Sequence, residues 1–156
     1  MSKVVDRDLG YANLMARLME QNSIDISIGI LPDGETGDDG MYHAGTELAF
    51  IASINEFGSS DGHVPERSFL RSTIDENRNK YLRLMTTATK QVMRGVSAKV
   101  AYSSVARKVV RDVVRKIKNR IPPANAAATI KKKKSDVPLV DTGELYASIS
   151  YRLKGL

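Results

Sequence analysis

The chain has 156 residues, of which 42% are apolar, so it is long enough and apolar enough to form one folded domain with a core. It contains no cysteine, which excludes disulfide bonds, thiolate metal sites and cysteine nucleophiles. The net charge of +6 conceals an asymmetry, because residues 1–78 carry 6 basic and 14 acidic side chains whereas residues 79–156 carry 18 and 4.

A helix and a strand are predicted first along the chain. Apolar residues recur at helical spacing over residues 8–21 and predict an amphipathic helix. Isoleucines then alternate with small or polar residues over residues 24–31, which predicts a strand with one face on the core. These isoleucines are Ile24, Ile26, Ile28 and Ile30.

A glycine-rich loop with four carboxylates is predicted over residues 32–46. The carboxylates belong to Asp33, Glu35, Asp38 and Asp39. Their spacing lacks the alternating ligands and the closing glutamate of a calcium-binding EF-hand loop. We therefore interpret the segment as a solvated, flexible loop and expect neither a metal nor a cofactor.

Residues 47–57 fit either a short helix or a buried strand, and Gly58 favours the helix because glycine commonly follows a helix end. A loop is expected over residues 58–67. Residues 68–94 predict a long helix with Ser68 as its N-cap.

A second long helix is predicted over residues 97–121, where Pro122-Pro123 stops it. Residues 122–138 combine prolines, alanines and lysines and are interpreted as flexible. Asp141 and Glu144 then match a capping box, with Asp141 as N-cap and Glu144 at N3. Alternating apolar residues around Tyr151 predict a last strand.

The predicted fold is a single α+β domain over residues 1–156. A small antiparallel or mixed sheet would pack against two long helices, with shorter helices near the N- and C-termini. No run approaches the roughly 20 apolar residues of a membrane span, and no signal-peptide pattern is present. We therefore expect neither a secreted nor a membrane-spanning protein.

No catalytic constellation is found, and we expect no enzyme activity. His43 and His63 lie in predicted loops and are interpreted as solvated. A buried acid at Glu56 is one hypothesis, but pairing with Arg67 or Arg71, or with backbone N–H groups of the next loop, is favoured over it.

Basic side chains cluster on one face of the second long helix and in the run that follows it. They are Arg107, Arg111, Arg115, Lys118, Lys131, Lys132, Lys133 and Lys134. They could contact DNA phosphates or an acidic protein partner. A plain solvated helix face remains an equal alternative for the helix, and a solvated flexible tether is favoured for the lysine run.

Three short segments, at residues 51–58, 64–71 and 138–149, follow one another in the order of a known motif set. They resemble A-x-x-[N/H]-E-F-G, I-P-x-R-P-F-L-R and P-L-x-D-T-G-x-L-x-x-S-I, with Ser68 in place of the second proline. This set is similar to that of tailed-bacteriophage tail-completion or head–tail joining (neck) proteins, related to the minor tail protein Z group.

The resemblance implies a structural or assembly role for the motif residues. They are Asn55, Glu56, Phe57, Gly58, Pro65, Arg67, Phe69, Leu70, Arg71, Asp141, Thr142, Gly143, Leu145 and Ser148. It also implies a homo-oligomer, with a hexameric ring suspected. The implied partners are tail terminator, tail tube or connector proteins, with contact to packaged DNA where a basic face lines the lumen and no contact with a membrane.

The protein would then be located in the neck or tail of the virion, after assembly in the host cytoplasm. The acidic first half and basic second half would suit head-to-tail pairing between copies. The alternative function is a basic nucleic-acid-binding accessory protein, suggested by the charge of residues 79–156.

Overall fold

A computed structural model describes residues 10–22, 24–31, 35–36, 46–133, 137–139 and 143–155, and all structural statements concern these residues. Its elements follow the chain in this order: α1 Tyr11–Asn22, β1 Asp25–Ile30, β2 Glu35–Thr36, α2 Thr46–Phe57, α3 Arg71–Glu76, α4 Arg78–Met93, α5 Ala98–Lys118, α6 Ala127–Lys133, α7 Glu144–Ala147 and β3 Ile149–Lys154. The mixture of helices with a small sheet confirms the predicted α+β class.

The sheet is antiparallel, with β3 in the middle and β1 and β2 on either side. Ile28 pairs with Tyr151, so the alternating apolar residues of both long strands lie on one face. That face packs on α5, and Tyr151 is fully buried there. The predicted strands around residues 24–31 and Tyr151 are both confirmed.

Helix α5 organises the core because its apolar arc is buried along its length. Val109, Val113 and Ile117 pack with the sheet, whereas Ala101 and Val105 pack with α4. The arginines on the opposite face are exposed. The predicted amphipathic division of this helix is therefore confirmed.

The predicted helix over residues 68–94 is wrong in its continuity, since Asn77 divides it into α3 and α4. The backbone and side-chain N–H groups of Asn77 both donate to the Thr73 carbonyl, at 3.2 and 2.9 Å. An asparagine side chain that bonds the nearby backbone competes with the regular helix ladder. The interpretation of residues 47–57 as helical is confirmed by α2.

Two other predictions need correction. Residues 122–138 were expected to be flexible, yet α6 occupies Ala127–Lys133, where alanine and lysine have high helix propensity. Strand β2 lies inside the predicted loop over residues 32–46, most of which is outside the described residues. A two-residue strand leaves no periodic pattern, because only its pairing with β3 defines it.

Candidate functional site

Glu56, at the end of α2, holds the start of α3. Its carboxylate is 4% exposed and accepts hydrogen bonds from the backbone N–H groups of Phe69 at 2.8 Å and Leu70 at 2.9 Å. The other oxygen accepts from the Ser68 hydroxyl at 2.7 Å and from Arg71, through its backbone N–H at 3.0 Å and its Nε at 3.2 Å. A side chain from a different helix thus satisfies N–H groups that a helix start leaves unpaired.

These bonds keep Glu56 ionised. Burial by itself raises the pKa of Glu56, but the N–H groups of Leu70 and Arg71, the Ser68 hydroxyl and the Phe69 N–H outweigh it and lower the pKa below its ordinary value. Both oxygens are engaged, so the carboxylate is not poised to donate a proton. Of the alternatives for Glu56, pairing with Arg71 and with backbone N–H groups is confirmed, and pairing with Arg67 is wrong.

Ser68 contributes to the same helix start, although it is not the N-cap. The N-cap position of α3 is Leu70, so the predicted cap is wrong by two residues. Ser68 instead accepts a hydrogen bond from the Ser72 N–H at 3.2 Å while its hydroxyl donates to Glu56. Its side chain therefore still orders the first turn.

Arg67 binds a different part of the chain. Its side chain is buried, and its Nε donates to the Pro123 carbonyl at 2.8 Å. Its Nη2 lies 3.4 Å from both the Ala124 carbonyl and Asn125 Oδ1. Burial lowers the pKa of Arg67. The residue thus fixes the segment between α5 and α6 against the loop that follows α2.

A groove with a volume of about 660 Å³ lies beside this contact, and we call it the Arg67 groove. Apolar side chains form its walls, and Arg67 and Asn125 supply polar atoms. The apolar members are Ile51, Ile54, Val64, Pro65, Pro123, Ala124, Ala126 and Pro138, and Asn55, His63 and Thr129 also line the groove. Residues from the first motif segments and from the start of the last one therefore meet at one surface.

Gly58 is required by the loop that begins there. Its φ is +80°, and a Cβ atom on it would lie 3.1 Å from Glu66 N and 3.3 Å from Val64 O. Any other residue would be strained and would displace backbone atoms. The motif glycine thus has a steric explanation within the fold.

Apolar side chains of α2 are exposed around these residues. Phe50 is 65% exposed, Ile51 49% and Phe57 62%. Arg71 lies over the Phe57 ring, with its guanidinium carbon 4.5 Å from the ring centroid. Helix α2 therefore presents an apolar surface beside the Arg67 groove.

The last motif segment packs against its neighbours through Gly143, Leu145 and Ser148. Gly143, with φ +91°, is the N-cap of α7 and lies against Tyr146, whose Oη would be 2.7 Å from an added Cβ. The predicted capping box is wrong in register, because Glu144 is the first helical residue instead of N3. Leu145 and Ser148 are buried. Asp141 and Thr142 lie outside the described residues.

The basic residues of α5 share an exposed face. Arg107 Nε donates to Tyr151 Oη at 3.3 Å, and Arg115 contacts Asp112 at 3.4 Å. Lys118 lies over the Tyr146 ring, 4.3 Å from its centroid. Arg111 and Lys131 are also exposed. The side chains of Lys132, Lys133 and Lys134 are outside the described part of the structure.

The described residues contain no cluster of three or more His, Asp or Glu side chains that could hold a metal ion. His63 is exposed, and its Nδ1 lies 3.1 Å from Asp61 Oδ2. His43 and the predicted acidic loop fall outside the described side chains. Within the described ranges, every helix is too short or too polar to cross a bilayer.

Comparisons of the chain with family models, curated proteins and solved structures found no significant match. The resemblance to phage neck proteins therefore stays a prediction from the motifs. Sequence reasoning missed the role of Asn125, because residues 122–138 were interpreted as flexible. The available signal was Pro122-Pro123 with Asn125 two residues later, since prolines and asparagine are typical of turns.

Proposed function

We propose that the chain is a structural protein of the neck or upper tail of a tailed bacteriophage. It acts by assembling into a ring and docking on tail terminator, tail tube or connector proteins. The ordered motif set supports this proposal, since its segments fall at residues 51–58, 64–71 and 138–149 in the order of that family.

The observation that carries the proposal is the use of the motif residues at the α2–α3 joint. The side chains of Glu56 and Arg67 form hydrogen bonds that fix backbone segments, and Gly58 stands where a larger residue would contact the backbone. Beside them Phe50 and Phe57 remain exposed. A rigid joint that presents apolar side chains suits assembly with other proteins better than it suits catalysis.

Charge supports association between copies. The first half of the chain carries a net −8 and the second half +14, so both acidic and basic segments are available for a head-to-tail contact. Complementary charge of this kind accelerates encounter and favours one orientation. Ring assembly should accordingly weaken as salt is added.

The test is a deletion of the coding region from the phage that encodes the chain, followed by negative-stain microscopy of the lysate. We expect heads and tails that fail to join, or tails with incomplete ends, and restoration by the wild-type chain supplied in trans. Intact virions in normal yield without the chain would overturn the proposal.

A second candidate function, nucleic-acid binding, is favoured by the exposed Arg107, Arg111, Arg115 and Lys118 on one face of α5. A titration with duplex DNA at 50 to 200 mM salt distinguishes nucleic-acid binding from the structural role. Phosphate contacts predict that log K falls steeply with log salt, whereas absence of binding at the lowest salt removes this candidate.

A further inference from the structure

The Arg67 groove carries hydrogen-bond donors without an anionic acceptor in the described part of the chain. Arg67 is 7% exposed, and the groups it binds there are two backbone carbonyls and an amide oxygen. No described carboxylate forms an ion pair with it. A buried guanidinium in this state gains charge-assisted bonds when a carboxylate reaches it.

Asn125 adds a second donor at the same place. Its Nδ2 is buried and has no hydrogen-bond partner among the described residues. The amide orientation is fixed, because Oδ1 accepts from Arg67 and a flipped amide would set donor against donor. Asn125 is partly exposed and lines the groove, so this donor lies at the groove wall. An unpaired buried donor is destabilising until an acceptor is supplied.

The rest of the groove suits an apolar partner. Ile51, Val64 and Pro138 line it, and its volume of about 660 Å³ lies within the range of ligand pockets. Thr129 of α6 also lines it, and exposed Lys131 follows on the same helix. The matching ligand is a segment that carries carboxylates next to apolar side chains.

Building on the ring assembly proposed above, we propose that the Arg67 groove binds the acidic segment of residues 33–42 from a second copy of the chain. Asp38 and Asp39 enter the groove, while Glu35 and Thr36 stay paired with β3 of their own copy. A carboxylate of this segment is bound by Arg67 and Asn125, and its apolar side chains contact the walls. In this contact an acidic segment of one copy meets the cationic Arg67 of the next copy, so the copies are linked head to tail.

The choice of occupant follows from charge and composition. Residues 33–42 carry four carboxylates and no lysine or arginine, and no stretch elsewhere in the chain is equally acidic. They end in Met41 and Tyr42, which supply the apolar side chains that the walls require. The groove presents the cation of Arg67, and exposed Lys131 lies on the same helix as Thr129, which lines the groove.

The test is a binding titration of the full-length protein with a fluorescent peptide of residues 33–42, followed by anisotropy. The matched control peptide carries amides in place of the four carboxylates. We expect the acidic peptide to bind at least tenfold more tightly, and the side-chain amide resonance of Asn125 to shift when ¹⁵N-labelled protein is titrated. No binding at millimolar peptide, or equal binding of both peptides, would overturn the proposal.

Protein variants locate the site. Asn125→Ala and Arg67→Lys should each weaken peptide binding severalfold, whereas Asn119→Ala, at the exposed end of α5, should leave it unchanged. If Arg67→Lys fails to fold, Asn125→Ala and the Asn125 resonance still show whether the peptide binds in the Arg67 groove. Unchanged affinity in Asn125→Ala together with an unshifted resonance would exclude the groove.

A receptor whose own four carboxylates are replaced by amides distinguishes contact between copies from contact within one copy. Both receptors are diluted until light scattering shows monomers. Binding of the acidic peptide to the monomeric wild-type protein then supports contact between copies, whereas binding to this variant alone would refute it. The assay needs no virion, so a negative peptide result refutes the groove proposal alone, and intact virions without the chain refute the neck function alone.

Discussion

Replacing Glu56 by glutamine should destabilise the protein strongly although the change in size is small. The carboxylate accepts five hydrogen bonds, and an amide presents only one accepting oxygen. In either amide orientation at least two donors lose their acceptor. At about 1–3 kcal/mol for each buried unpaired donor, and with Leu70 only partly buried, we expect a loss of about 2–4 kcal/mol in the free energy of unfolding.

Glu66→Gln is the matched control, because Glu66 also pairs with Arg71, at 2.7 Å, but is more than half exposed. Exposed ion pairs contribute about 0–1 kcal/mol, so this variant should lose less than about 1 kcal/mol. Urea unfolding followed by circular dichroism measures both variants, with the midpoint shifting and the slope unchanged. Equal losses in the two variants would refute the capping role of Glu56.

The pH dependence of the Glu56→Gln effect gives an independent check. The folded-state pKa of Glu56 is lowered, so the unfolded chain binds the proton first as the pH falls. The stability that the carboxylate contributes is present above the ordinary glutamate pKa of 4.5 and is lost as the pH falls below it. The difference between wild type and Glu56→Gln should therefore shrink below that pH, and a constant difference down to pH 2 would contradict the lowered pKa.

Three further predictions test other parts of the molecule. Gly58→Ala should lower the free energy of unfolding in urea by about 2–3 kcal/mol, and Gly62→Ala by about 1 kcal/mol, because of the two only Gly58 faces backbone atoms within 4 Å. Equal losses in the two variants would argue against the close contact. Ile117→Ala should lower the free energy of unfolding by about 2–5 kcal/mol because Ile117 is fully buried, whereas Val100→Ala, at an exposed site, should lower it by less than about 0.5 kcal/mol. Scanning calorimetry measures both, and a small loss at Ile117 would contradict its place in the core. Phe50→Ser should leave the melting temperature within about 2 °C but reduce the oligomeric mass in light scattering, and unchanged assembly would exclude Phe50 from the interface.

The amino-acid sequence determined the elements whose pattern is local and repeated. Alternation around Ile28 and Tyr151 predicted both long strands, since a period of two places one face on the core. The 3.6-residue period of α5 predicted which side is buried, and even the pairing of Glu56 with Arg71 was among the stated alternatives. The strand and helix patterns depend on residues close together in the chain.

The tertiary structure alone decided the features that depend on distant partners. Strand β2 is defined by pairing with β3, and Arg67 reaches carbonyls more than fifty residues away at Pro123. The groove is formed by segments whose meeting no periodicity encodes, and α6 lies where the composition suggested a flexible chain. The charge asymmetry was visible in the sequence, but only the fold placed Arg67 and Asn125 together in one groove.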